Sequence, residues 1–462
     1  MITVSKIKFS VFAALVVAAL AVSTPLGLSA QARRDVRALS ARSSADWIRD
    51  GVIYELNVRT FSNEGTFNAV TARLPELQRL GVTVIWLMPI HPLGQVKKKG
   101  TVGSPYAVRD YLDVNPAYGS KDDLKRLVAA AHRVGLKVVI DIVANHTSWD
   151  NVLMKTPAYY KRDATGQILS PYDWTDVAAL NYGNPALRAY MIGMLQYWLR
   201  DFDLDGFRCD VAGEVPTDFW EQARTDLEKI KPDIMLLAES HEPELLARAF
   251  DLDYGWPGYH AMKDAILGNR SARAIRDEWE AEQRVYPKGA LHMRIADDHD
   301  EKRAVSFFGE KAALAASALL LTADGVPVMY NGMEVGDATE STAPALFEKL
   351  PVFWGIGEKR PEFPRFYAGM LPLRRANSAL RRGTTAWLRN ADEDRVVTFV
   401  RQDDTQDVLV AINFSNRAFA GTVEVAGAGY TEITPGTAST GAAALPALSL
   451  EAWGYRIFRR SR

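Results

Sequence analysis

The chain has 462 residues, 48% of them hydrophobic and 24% charged, with 55 Lys and Arg against 56 Asp and Glu for a formal net charge of −1. That composition is ordinary for a globular protein with an ample core, and the charge balance provides no global field for nucleic acid or an anionic membrane. The single cysteine, Cys209, excludes an intramolecular disulfide framework.

At the N-terminus, Lys6 and Lys8 precede an apolar run from Val11 to Val22, followed by Pro25, Gly27 and Ala30-Gln31-Ala32. The run is short for a bilayer span and the small residues suit processing, so a signal peptide is predicted over 1–32 with cleavage after Ala32, a retained anchor being the lesser alternative. The mature chain is then expected to be secreted or periplasmic, without membrane contact. From about Asp50, short apolar runs alternate with amphipathic segments. Eight runs read as strands: VIYELNVRTF from Val52, VTVIWLMP from Val82, LKVVIDIV from Leu136, DGFRCDV from Asp205, IMLLAES from Ile234, AFDLDY from Ala249, LHMRIADD from Leu291 and VPVMYNG from Val326. Helical patterns between them are clearest at Phe67–Leu80, Lys121–Val134, Pro185–Phe202, Pro216–Ile230 and Lys311–Thr322. The repeated β-α units predict an α/β chain built as a (β/α)₈ barrel over 33–376, with a small irregular insertion at 147–182. After Ala376 the pattern changes to short alternating strands, predicting a C-terminal β-sandwich over 377–462. The local basic cluster Lys97-Lys98-Lys99 reads as a solvated loop tip.

Polar residues gather where the apolar runs end: Asp141, Asn145 and His146 after the third, Arg208 and Asp210 on the fourth, Glu239 after the fifth, His299 and Asp300 after the seventh. The C-terminal ends of barrel strands are where catalytic groups are found. In GFRCD, the two-residue spacing puts Arg208 and Asp210 on one strand face and Cys209 on the other. That pairing serves either a carboxylate held ionised as a nucleophile or a buried structural ion pair.

Taken in order, DIVANH at Asp141–His146, GFRCD at Gly206–Asp210, LLAES with Glu239 and DDHD at Asp297–Asp300 resemble the motifs of the α-amylase family, glycoside hydrolase family 13. SPYAVRDY from Ser104 and GVPVMYNGMEVG from Gly325 look like further landmarks. The resemblance implies a retaining α-glucan hydrolase acting on α-1,4 bonds of maltooligosaccharides or starch. Asp210 would be the nucleophile, Glu239 the general acid/base and Asp300 the carboxylate supporting the positively charged transition state. It also implies sugar contacts at Tyr106, Asp141, His146, Arg208 and His299, with Asp141 orienting Arg208. On this reading Arg208 lowers the pKa of Asp210, and an apolar surround raises that of Glu239. Trp149, Trp174, Trp256 and Trp354 are candidates either for an aromatic platform or for the core.

Two departures stand out. Asp298 replaces the family's common asparagine, so that either Asp300 binds sugar less well or Asp298 turns away. Gly213 and Glu214 replace a frequent Lys-His pair, and DVAGEV looks more like the neopullulanase and cyclomaltodextrinase branch. Calcium through Asn145 is disfavoured by the missing histidine position and the short insertion; no Cys-His cluster points to zinc and no glycine-rich loop to nucleotides, so no cofactor or metal is expected. A transglycosylase using the same intermediate and a non-catalytic carbohydrate-binding barrel are the alternative functions at this level.

Overall fold

All eight apolar runs form parallel strands of one closed barrel in a computed structural model, which describes residues 34–426, 428–437 and 444–462. The barrel strands are β1 (Ile53–Leu56), β2 (Val84–Leu87), β3 (Lys137–Val143), β4 (Gly206–Asp210), β5 (Met235–Ala238), β6 (Leu252–Tyr254), β7 (Leu291–Arg294) and β8 (Val326–Tyr330). Each pairs with its chain neighbour, and β8 closes on β1 with Val328 opposite Ile53. Apart from the half-buried Leu291, their β-branched and leucine side chains are buried on both faces, as parallel strands sheathed in helices require. The expected signal peptide lies outside the described residues. Among the described residues no helix is long and apolar enough to cross a membrane.

The first run, read as a single strand, is divided. Asn57 ends β1, and its side chain accepts the Arg59 N–H to cap a helical turn at Val58–Phe61. Its own N–H donates to Asn331 Oδ1 at 2.7 Å, tying the end of β1 to that of β8. The helices follow the sequence pattern closely. Lys121–Arg133 starts on a capping box of Ser120 and Asp123, and Pro185–Phe202 starts with Pro185 behind an Asn184 cap. Within the latter, Trp198 is buried and its indole N–H donates to the Tyr111 carbonyl at 2.9 Å, so the MIGMLQYWLRDF stripe is core.

After β3 the chain leaves the barrel in a small excursion. A two-stranded antiparallel ladder pairs His146–Ser148 with Val177–Ala179, and two 3₁₀ turns at Val152–Lys155 and Pro157–Tyr159 fill the connection. The C-terminal part carries β9 (Thr384–Trp387), β10 (Val396–Gln402), β11 (Gln406–Asn413), β12 (Phe419–Thr422), β13 (Thr431–Glu432), β14 (Ala447–Leu450) and β15 (Tyr455–Ser461). They form an antiparallel sheet in the order β9-β10-β11-β15-β13 and a smaller sheet of β12 and β14. The two-residue alternation of β10 and β11 has two destinations. Val396, Val400, Leu409 and Ala411 pack with Phe419, Leu448 and Leu450 of the small sheet, while Val397, Phe399, Val408, Val410 and Ile412 join the core of the barrel.

Gly206 opens β4 at φ +148°, where an added Cβ would lie 2.0 Å from the Met235 carbonyl oxygen. Gly206→Ala is therefore expected to lose about 3 kcal/mol or more of stability through overpacking and backbone strain. Gly193→Ala, on a helical surface with nothing within 4 Å, serves as the control and should hold or gain stability. Urea denaturation of both variants checks this.

Candidate active site

Parallel strands deliver their C-terminal ends to one mouth, and the β3–β4 register sets Asp141 beside Arg208. Arg208 and Asp210 share a face of β4, and the guanidinium is fully buried. Its Nη1 donates to both Asp141 oxygens, at 2.9 and 3.1 Å, and to Asp210 Oδ1 at 3.0 Å; Nε donates to the Tyr254 hydroxyl at 3.2 Å. Nη2 lies 2.8 Å from Glu239 Oε2, an ion contact that is off the line of a hydrogen bond. Three carboxyl groups thus surround one cation. Trp86 on β2 lies with its ring centroid 5.2 Å from the guanidinium carbon.

Glu239 follows β5 directly, and its Oε2 also accepts the Val211 N–H at 2.7 Å. Val211 holds φ +37° and ψ +48°, a left-handed conformation that a β-branched residue adopts only under constraint and that costs about 1–3 kcal/mol. This turn immediately after the strand aims the N–H at the carboxylate.

The electrostatic environments of the two groups run opposite to the sequence expectation. Burial and the neighbouring Glu239 push the Asp210 carboxyl well above its usual range despite Arg208. Glu239 is held below the usual range: Arg208, the Val211 N–H, His299 and a hydrogen bond with Asp210 together outweigh its burial. Asp210 and Glu239 are in hydrogen-bond contact, and two carboxyl groups so placed in a dry site share one proton. Arg208 serves both groups, so its charge does not select Asp210.

Across the mouth, His299 stacks on Tyr106 with ring centroids 5.5 Å apart. Its Nδ1 hydrogen-bonds Glu55 Oε1, and its Nε2 is 2.7 Å from the Tyr106 hydroxyl and 3.3 Å from Asp300 Oδ2. The Tyr106 hydroxyl in turn donates to Asp141 Oδ2 at 3.2 Å. Burial alone would lower the imidazole pKa, but Asp300 and Glu55 prevail and push it up to about 10. His146, buried with Nε2 4.0 Å from Asp210 Oδ2, is driven by desolvation down to about 4. The two histidines are therefore set apart, His299 as imidazolium and His146 as neutral imidazole. Asp298 is turned into the protein, 1% exposed, and accepts the N–H groups of Asp300 and Glu301.

Of the residues singled out in sequence, Tyr106, His146, Asp210, Glu239, His299 and Asp300 line one cleft of about 420 Å³. Asp141 and Arg208 do not; both are 0% exposed and lie beneath it. Of the four tryptophans, Trp174 lines the cleft. Trp149 hydrogen-bonds the Thr175 carbonyl, Trp256 stacks on Tyr254, and Trp354 packs on Phe61. The lysine run is exposed at Lys97 and Lys98, as a loop tip should be, with Lys97 Nζ 3.6 Å from the Trp149 ring centre and Lys98 donating to the Thr101 carbonyl, whereas half-buried Lys99 pairs with Asp176 at 2.9 Å in the cleft wall. Glu55, Val211, Tyr254, Lys99 and Asp176 escaped the sequence reading. Glu55 left a signal, a charged residue between the apolar Tyr54 and Leu56 of β1. Among the described residues no group of three or more His, Cys, Asp or Glu side chains is arranged to hold a metal ion; Asn145 contacts the His146 ring.

These shifts fix signs for stability against pH. For His299, raised from 6.5 to about 10, the stabilising contribution is complete below pH 6.5 and is lost as pH rises toward 10. For His146, lowered to about 4, protonation of the unfolded chain removes stability as pH falls from 6.5 to 4. Denaturation midpoints across this range should fall on both sides of neutrality, and His299→Gln should flatten the alkaline loss alone.

Comparison with known proteins accords with this geometry. The family model described as "Alpha amylase, catalytic domain" matches residues 41–165 and 157–350. The maltogenic α-amylase AmyB of Thermotoga neapolitana superposes with a TM-score of 0.80 at 30% identity, over 90% of this chain and 97% of that one. A cyclomaltodextrinase of Geobacillus thermopakistaniensis is 27% identical over 81% of this chain and 70% of its own length. The α-amylase MalA of Haloarcula japonica is 28% identical over 80% of this chain, which spans 56% of that relative. With the barrel, the ordered strand-end motifs and a family model matched over more than half its length, the chain belongs to the α-amylase family of glycoside hydrolases.

Proposed function

We propose that the protein hydrolyses α-1,4-glucosidic bonds of starch-derived oligosaccharides with retention of configuration, through a covalent intermediate on Asp210. The observation that carries this reading is the placement of Asp210 and Glu239 on one buried arginine, facing the same cleft as Asp300. The relatives' names, cyclomaltodextrinase and maltogenic amylase, support short maltodextrins as the substrates.

In this reading the shared proton is the working element. A glycosidic oxygen seated against Glu239 offers an acceptor on that side and draws the shared proton to Glu239. Asp210 is then ionised, fixed by Arg208 Nη1, and attacks the anomeric carbon. The bond to the leaving oxygen breaks as Glu239 delivers its proton there. Glu239, now a carboxylate, takes a proton from water, whose oxygen attacks the same carbon and releases Asp210. Asp300, the most exposed of the three with 42% of its side chain accessible, is free to reach sugar hydroxyls. His299, Tyr106 and His146 border the same space and supply donors and an apolar ring face to the sugar.

Asp210→Asn and Glu239→Gln should each lower kcat by about 10³-fold or more, because each removes a group that acts only in the transition state. Activity on maltotriose or a longer maltooligosaccharide, with the product's anomeric form followed by NMR, checks this; wild-type release of the β anomer first, or turnover unaffected by Asp210→Asn, would overturn the reading. The lysine-led apolar N-terminus supports export, and N-terminal sequencing of the secreted chain should begin at Arg33.

A further inference from the structure

The foot of the barrel, at the opposite end of the strands from the carboxylates, holds a second cavity of about 390 Å³. Val52, Thr83 and Gly135, just before β1, β2 and β3, line one side of it. Arg374 and Arg375 of the helix Glu362–Ala376, with Arg381 beyond it, line the other. Against these three arginines stands one carboxylate, Asp50, and it is already engaged. Its Oδ2 lies 2.6 Å from Arg381 Nη1 and 2.7 Å from Arg382 Nη2.

Arg374 is 1% exposed. Its Nη1 donates to the carbonyls of Leu321 and Ala323, at 3.1 and 3.2 Å, and its Nη2 to that of Gly325 at 2.7 Å. Nε is buried with no acceptor among the described residues. The carbonyls cap the end of the helix Glu310–Thr322, yet none of them carries charge, so the guanidinium has no counter-ion in direct contact. Arg401 on β10 repeats the pattern: Nη2 donates to the Gly383 carbonyl at 2.6 Å, while Nε and Nη1 are buried without acceptors. A buried cation held only by neutral groups is costly. Burial pushes Arg374 down to about 9, with Arg401 and Arg381 adding to the fall against Asp324 and Asp50, so its charge persists at neutral pH. Arg375 is exposed, and its side chain forms no hydrogen bond or ion pair among the described residues.

We propose that this cavity binds a phosphate group, as the free ion or as a small phosphate ester, held by Arg375 and Arg381 and balancing the buried charge of Arg374. The three lining arginines exceed the one lining carboxylate by two charges, which a phosphate dianion matches. The guanidinium fork also suits phosphate oxygens in pairs. Val52, Val82 and Leu371 add apolar wall and Gln78 a neutral amide, so the space accepts an organic body beside the anion. Bound there, the ligand would tie the starts of the first three strands to the helix Glu362–Ala376.

Equilibrium dialysis of the full chain against labelled inorganic phosphate, and separately against glycerol 3-phosphate, at fixed ionic strength tests this. One equivalent of probe should bind saturably. Arg375→Gln should weaken binding by about tenfold or more, and Arg375→Lys should retain part of it. Arg374→Met should abolish it; should that variant fail to fold, Arg375→Gln and Arg381→Gln decide. Tighter binding of the ester marks an organic phosphate as the ligand, and equal binding marks the free ion. No saturable binding of either probe up to about 10 mM, or binding unchanged in both Arg375→Gln and Arg381→Gln, would overturn the site. Dialysis reads binding alone, so the outcome is independent of the reaction proposed above.

Discussion

A guanidinium with no exposure to water, held against the carboxyl groups of Asp141, Asp210 and Glu239, is the constraint on which the rest of the site depends. A buried charge that loses its partner destabilises by about 3–5 kcal/mol, so the cation and its carboxylates stand or fall together. The barrel supplies what this arrangement needs. Parallel register brings Asp141 level with Arg208, the two-residue period of β4 puts Asp210 on the same face, and β5 ends one residue before Glu239. Trp86 and Tyr254 close the remaining sides of the guanidinium. The residues below the cleft are thus as much a part of its electrostatics as those that line it.

Two chains of polar contacts spread from this centre. One runs from Arg208 through Asp141 and the Tyr106 hydroxyl to His299 and Glu55, crossing the mouth from β4 to β1. The other runs from Glu239 to the main chain at Val211, whose left-handed turn stores strain next to the nucleophile candidate. Strain of this kind persists only where the surroundings over-determine it. Here Ala212 N–H bonds the Glu239 carbonyl and Glu239 N–H bonds that of Cys209, locking the turn from both sides.

Much of this was legible in the residues themselves. Period and composition mark every barrel strand, and the ordered motifs point to the three carboxylates at one mouth. What they do not mark is depth. Arg208 and Asp141 share motifs with groups that line the cleft, yet they lie under it, and no linear pattern separates the two layers. The coupling of Asp210 to Glu239 is hidden for a related reason: the spacing of Arg208 and Asp210 is visible in the chain, whereas the second arm of the guanidinium, reaching Glu239 from another strand, is a fact of tertiary structure. Asn57 hid the end of β1 inside an apolar run because a side-chain cap breaks a strand without altering its hydrophobicity. The three consecutive lysines look like solvent-facing charge, and Lys97 and Lys98 are; that the third, Lys99, turns to Asp176 in the cleft wall is decided by a residue far along the chain.

The larger C-terminal sheet has no idle face. Its odd and even positions answer to different neighbours, one set to the small sheet and the other to the helical coat of the barrel. A substitution in Val396–Gln402 or Gln406–Asn413 is consequently judged by one neighbour or the other according to its position, and the shared seam welds these strands to the catalytic half as a keel is joined to a hull. Strands more than 300 residues beyond the first are in this way fixtures against which the outer helices settle.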